Sequence, residues 1–183
     1  MTYLVAGIAA AILLWAIVIF NRLVRLRNQV RAGWADIDVQ LTRRHDLIPQ
    51  LVESVRGYAH HESSTLEQVT VLRSEAVAMS SPGKLAQVEQ ALEQQLSRLL
   101  ALRESYPELK ASELFLQLQR DLVDVEEHLQ YARRFYNGAV RQLNDGIQRF
   151  PDVLMAHATG FVEAEFYAAD ADDREAPRLD RSQ

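Results

Sequence analysis

The 183-residue chain contains no cysteine. Disulfides, cysteine-based zinc sites and thiol catalysis are therefore excluded. Glycine and proline are scarce, at seven and five residues. Long stretches of Leu, Ala, Glu, Gln and Arg are left uninterrupted, and these residues favour helix. Alternating apolar and polar runs bounded by turn pairs are missing, so no strand competes. The formal net charge is −5, whereas a nucleic-acid binder would show a basic stripe. There is no glycine-rich phosphate loop and no nucleophile elbow. Neither an enzyme nor a cofactor nor a small-molecule substrate is expected from this composition.

Metal is also not expected. His60-His61-Glu62 is the densest histidine cluster, but adjacent helical residues point about 100° apart. Asp124 and His128 are four apart and could reach one ion. The di-iron bundle signature needs Glu-x-x-His from two helices, and here the residue three before His128 is Val125.

Charge is missing from one place above all. Tyr3 to Phe20, YLVAGIAAAILLWAIVIF, holds no ionisable side chain apart from the tyrosine hydroxyl. Eighteen helical residues rise about 27 Å, close to the hydrocarbon thickness of a bilayer. A cleaved signal peptide needs a positive n-region and a small-residue cleavage site. The run is preceded only by Met1 and Thr2 and ends in Ile19 and Phe20. An uncleaved anchor over residues 1–24 is the expectation. Arg22, Arg25, Arg27 and Arg31 follow the run and no basic side chain precedes it. Positive charge stays cytoplasmic, which places the N-terminus outside and the remaining chain in the cytoplasm of a single-pass inner-membrane protein. Gly7 and Ala11 form a small-xxx-small pair that would let two anchors approach in lipid.

After the anchor, Leu26, Val30, Trp34, Ile37, Leu41, His45, Ile48, Val52 and Val55 recur at the helical period. Pro49 cannot donate to the carbonyl of His45, so a kink is expected there. Ser64 and Glu67 fit a capping box ahead of Leu66, Val69, Leu72 and Ala76. Ser80-Ser81-Pro82-Gly83 reads as a turn. A helix from about Lys84 carries Leu85, Val88, Leu92, Leu96 and Leu99 on one face, and Tyr106-Pro107 should end it. The last long helix begins near Ser112 as N-cap. Leu118, Leu122, Val125, Leu129, Ala132, Tyr136, Ala139, Leu143, Ile147 and Phe150 keep helical step to Pro151. Val153 to Phe166 is apolar enough to pack back on the bundle, and its lack of basic residues to favour anionic lipid makes that the expectation; the alternative is that its bulky residues lie in a membrane interface. Residues 168–183 are charged and without an apolar face, which predicts disorder. The resulting fold class is all-α: an N-terminal transmembrane helix, then an elongated antiparallel up-and-down bundle of about four helices over residues 25–167.

Some polar residues interrupt this pattern. Asp36 and Asp38 sit among apolar positions in WADIDVQL. Asn137 and Asn144 are seven apart and share a helix face with Tyr136 and Leu143. They either meet across helices and fix their register, or lie half in water at the boundary.

Three segments resemble the LemA family. RLRNQVRAGWADIDVQLTRRHDLIPQLVESVRGYAHHE (25–62) is similar to its N-terminal signature, YPELKASELFLQLQ (106–119) to its middle block, and ARRFYNGAVRQLNDGIQRFPDVLMAHATGF (132–161) to its C-terminal block. The departures are Leu143, where an aromatic is usual before the asparagine, and the HATGF ending. Asp36, Asp38, Arg43, Arg44, Tyr136, Asn137, Asn144, Phe150 and Pro151 are the structural or interaction residues singled out. Gly7, Ala11, Arg22, Arg25 and Arg27 mark the anchor. The resemblance implies a single-span bacterial membrane protein with a cytoplasmic helical bundle, and no catalytic residues or cofactor. The family has a relative in the magnetosome-forming set, which hints at membrane organisation, and its members often sit near genes for membrane stress proteases, which hints at an adaptor. The expectation is a self-associating homo-oligomeric scaffold at the membrane, with an adaptor for another membrane protein as the alternative.

Overall fold

Apolar periodicity and the scarcity of breakers give the first helix unusual length. In a computed structural model that describes residues 1–58 and 62–167, α1 runs from Thr2 to Arg56 without a break. It is followed by α2 (Ser63–Ala78), α3 (Pro82–Ala101), a 3₁₀ turn at Leu102–Glu104, α4 (Pro107–Lys110), α5 (Glu113–Gln148) and α6 (Asp152–Thr159). Among the described residues there is no strand. The histidine pair at 60–61 and the charged tail from 168 lie outside the described residues.

Several element ends follow from single residues. Pro82 and Pro107 open α3 and α4 at the first turn, where a missing N–H costs nothing and φ is already helical. The Ser112 hydroxyl accepts from the Phe115 N–H at 3.4 Å, the N-cap bond expected there. Gly160 closes α6 with φ 71°, a conformation that suits glycine. The capping box at Ser64 does not form. The N-cap is Glu62, two residues earlier, and its carbonyl takes the N–H groups of Thr65 and Leu66. The third helix ends at Ala101, before Tyr106-Pro107, and the chain tightens into the 3₁₀ turn.

The chain divides into two compact units, and both α1 and α5 contribute to each. The first comprises Met1–Gln40 and His128–Glu165. Here the two helices run antiparallel, since Gly33 lies against Phe135 and Tyr136 while Gly146 lies against Leu26 and Leu23. Their buried stripes are Leu23, Val30 and Ile37 on α1 and Leu129, Ala132, Tyr136, Ala139, Val140, Leu143 and Ile147 on α5. Phe150 leaves the stripe and is exposed, because α5 stops at Gln148.

Among the described residues, the second unit comprises Leu41–Glu127 with Phe166 and Tyr167. Its core joins Ile48, Leu51, Val52 and Val55 of α1 to Leu66 and Val69 of α2, Leu92, Leu96 and Leu99 of α3, Leu109 of α4, and Phe115, Leu118 and Leu122 of α5. The α2 and α3 helices pack on each other, as a three-residue connection between apolar-faced helices requires. The helix continues through Pro49, and the carbonyl that the proline leaves without an N–H has a substitute donor: Arg73 Nε of α2 bonds the His45 oxygen at 2.7 Å.

Candidate functional site

The N-terminal part of α1 is the membrane-associating element. An 18-residue window is long and apolar enough to cross a bilayer, and only 6% of it is buried by the rest of the chain. A soluble core helix would be covered, so exposure on this scale fits lipid as the solvent. A Cβ added at Gly7 would meet nothing within 4 Å, and Ala11 is exposed, which leaves the small-residue face open.

Immediately after the apolar run, the first unit builds a polar clasp. Arg22 Nη1 donates to Asp152 Oδ2 at 2.9 Å, and the Asp152 side chain is only 5% exposed. Phe20 and Phe161 meet edge to face with ring centroids 6.1 Å apart. The Arg27 guanidinium stands 4.9 Å from the centre of the same Phe161 ring, a cation–π contact. The chain beyond α6 then follows α5 as an extended strap. Asn144 Nδ2 donates to the Ala164 carbonyl at 3.0 Å, and the Ala164 N–H donates to Asn144 Oδ1 at 2.9 Å. Tyr136 donates its hydroxyl hydrogen to the Glu165 carbonyl at 2.7 Å, and Gln148 donates to Glu163 at 2.8 Å. Burial, reinforced by the nearby Glu165 carboxylate, pushes the Tyr136 hydroxyl above its ordinary pKa of 10.0. Trp34 packs on Tyr136 with ring centroids 5.5 Å apart.

The second unit holds a buried ionic cluster. Glu89 of α3 is fully buried. Its Oε1 lies 2.7 Å from His45 Nε2, and its Oε2 accepts from Arg44 Nη1 at 3.3 Å. Arg44 also approaches Glu126 Oε2 at 3.5 Å. Beside the cluster is a cleft of about 180 Å³ lined by Arg44, Glu93, Leu96, Leu100, Leu122 and Glu126. That volume is below the range of typical small-molecule pockets. In the first unit a groove of about 510 Å³ is lined by Arg22, Leu26, Gln142, Asp145, Gln148 and Arg149. Among the described residues, no group of three or more His, Asp or Glu side chains is placed to hold a metal ion.

The residues singled out in the sequence fall in different places. Arg22, Arg27, Tyr136 and Asn144 belong to the clasp and strap. Arg44 belongs to the buried cluster, and Arg43 forms a half-exposed ion pair with Asp124 at 3.2 Å. Asp36, Asp38 and Arg25 are exposed, so the two aspartates do not meet a partner helix across a buried seam. Asn144 addresses a loop backbone and not a facing helix. Asn137 and Pro151 are half-buried. Three residues went unnoticed. Glu89 sits in step with Leu85 and Leu92, a carboxylate inside an apolar stripe, and His45 stands in the stripe of α1. That coincidence of two titratable groups on inward faces is a readable signal. Arg73 and Asp152 offer no such signal, because the first serves a backbone carbonyl and the second is defined by a turn.

A model of the LemA family matches residues 33–180. Magnetosome protein MamQ 2 of Paramagnetospirillum magneticum is 24% identical over 174 residues, covering 81% of this chain and 64% of the relative. Magnetosome protein MamQ of Magnetospirillum gryphiswaldense is 23% identical with the same coverage. Protein LemA of Metamycoplasma hominis is 28% identical over 134 residues, covering 71% of this chain and 60% of the relative. The matched region thus spans less than two thirds of these relatives' own length. The match spans the second half of α1, the buried ionic cluster and the strap, and on it the chain belongs to the LemA family.

Proposed function

We propose that this chain is a non-enzymatic, membrane-anchored scaffold that self-associates and organises or maintains the membrane it is tied to. The observation that carries this reading is the uncovered N-terminal third of α1, with an open face at Gly7 and Ala11. Small residues on an uncovered helix in lipid allow close backbone approach. The arginines at 22, 25, 27 and 31 support an N-terminus outside and a helical domain in the cytoplasm. Two relatives are named as magnetosome proteins, which agrees with a part in membrane organisation.

An adaptor for another membrane protein is the second reading. It is favoured by Tyr131 and Phe135, two exposed aromatics one turn apart on α5. Aromatic side chains are enriched where proteins meet proteins. Light scattering on the detergent-extracted full-length protein, with and without residues 1–24, separates the readings. A large defined species that collapses when the anchor is removed is the expected result. A monomer in both cases refutes self-association and leaves the adaptor.

A further inference from the structure

We propose that the corner between α5 and the strap, residues 149–162, dips into the membrane interface beside α1, with Phe150, Leu154 and Val162 among the lipid headgroups and upper acyl chains. This rests on the anchor reading above, and extends it from one helix to a second point of lipid contact.

Three observations place the corner at that depth. Asp152 is bonded to Arg22, two residues beyond the apolar run. Phe161 packs on Phe20, the last residue of the run. Ile19 lies inside the run, yet it is only 5% exposed, so protein covers the side of α1 at that level. One residue of helix rises about 1.5 Å, and Ile19 and Arg22 therefore lie within one turn of each other. A corner tied to Phe20 and to Arg22 reaches the level at which α1 leaves the hydrocarbon.

What the corner leaves uncovered fits lipid. Phe150, Leu154 and Val162 are 76%, 59% and 78% exposed. Three bulky apolar side chains so close to an apolar span continue its surface sideways, where water contact is unfavourable. Charge does not oppose entry. From Phe150 to Val162 the sequence holds one carboxylate, Asp152, and one histidine, His157. Asp152 is paired with Arg22 at 2.9 Å and its side chain is only 5% exposed. Arg25 and Arg149 are exposed at the same end of the unit and suit anionic headgroups. An interfacial segment of this kind buries its apolar face about 5–10 Å into the headgroup boundary.

The absence of cysteine makes the test direct. Full-length Phe150→Cys, Leu154→Cys, Ile12→Cys and Glu108→Cys proteins are labelled with an environment-sensitive fluorophore. They are reconstituted in phosphatidylcholine–phosphatidylglycerol vesicles containing lipids brominated at shallow or deep acyl positions. Circular dichroism confirms that each labelled protein keeps its helix content. At positions 150 and 154 the expected result is blue-shifted emission, and a severalfold larger loss of intensity with shallow bromines than at Glu108. Position 12 should respond most to deep bromines. Water-like, unquenched emission at both 150 and 154 overturns the proposal. A blue shift there without bromine quenching overturns it too, because protein and not lipid then covers the corner. A label at Ile12 that escapes quenching refutes the anchor reading itself, and the corner proposal falls with it.

Discussion

Three helical glycines separate close packing from helix propensity. A Cβ at Gly33 would stand 3.0 Å from Phe135 Cδ1 and 3.0 Å from the Tyr136 Cα. A backbone atom cannot move without its helix, so α1 and α5 must part within the first unit. At Gly146 the nearest atom is Leu26 Cδ1 at 3.1 Å, the tip of a flexible side chain. At Gly138 nothing lies within 4 Å. Replacing glycine by alanine inside a helix gains about 1 kcal/mol from propensity, whereas overpacking a tight contact costs about 1–3 kcal/mol. Gly138→Ala should therefore stabilise by up to about 1 kcal/mol. Gly146→Ala should be close to neutral. Gly33→Ala should lose a net of roughly 1–2 kcal/mol, taking the upper part of the overpacking range because backbone is struck. For a chain of this size 1 kcal/mol moves the melting temperature by about 2–4 °C. Thermal melts of the full-length variants, followed by far-ultraviolet circular dichroism in one detergent, give the order directly. If Gly33→Ala melts at or above the parent, the two helices are not in close contact there and the antiparallel register drawn from Gly33 and Gly146 is wrong.

Other substitutions test the polar contacts. Glu89→Leu should cost about 3–5 kcal/mol by leaving Arg44 and His45 buried without their shared carboxylate, and the triple change Arg44→Met, His45→Leu, Glu89→Leu should recover most of it; equal melting temperatures for the two would refute the ionic account. Arg73→Ala should cost about 1 kcal/mol in the parent and much less in a Pro49→Ala background, where the restored N–H takes the His45 carbonyl; a double-mutant cycle with no coupling would refute the substitution of one donor for the other. Tyr136→Phe should cost about 0.5–1.5 kcal/mol at neutral pH. Because the folded-state pKa is raised, the tyrosine's contribution is complete below its unfolded value of 10.0 and is lost as the pH rises through the folded value. The gap between parent and variant in melting temperature should therefore narrow only above about pH 10, and a gap that closes below that would point to another group.

The long helices were legible because their signal repeats. A stripe in step over several turns, from Leu26 to Val55 and from Leu118 to Ile147, overrides single weak residues such as Gly33. The α3 stripe was equally readable, yet it contains Glu89. An acid on an apolar face is a boundary residue unless a cation or histidine faces it. His45 stands in the α1 stripe, but their pairing depends on how α3 is placed against α1, a contact across more than forty residues of chain. Asp36 and Asp38 show the converse. Their neighbours in sequence are apolar, but the helical turn carries both to the solvent side of α1, away from Ile37.

The contacts least readable from sequence are those in which a side chain serves a backbone group. Arg73 bonds the His45 carbonyl, Tyr136 the Glu165 carbonyl, and Asn144 both backbone groups of Ala164. Alanine and glutamate at those positions say nothing about who will bond their amides. The need for such bonds is nonetheless physical. Residues 161–165 run beyond the last helix without a ladder of their own, and backbone polar groups removed from water require partners. In the first unit α1 and α5 pair side by side, and two helices alone leave part of each apolar stripe uncovered. A strap laid along them can add cover only if its amides are satisfied at the same time. Asn144 meets that condition with one side chain, because an amide both donates and accepts. An aspartate at 144 could accept from the Ala164 N–H but, when ionised, could not donate to its carbonyl. The sequence spacing of Asn137 and Asn144 marks the face correctly, but the partner that gives Asn144 its role is a short extended segment following a glycine-capped helix. Its position is set by Gly160 and by the Arg22–Asp152 pair.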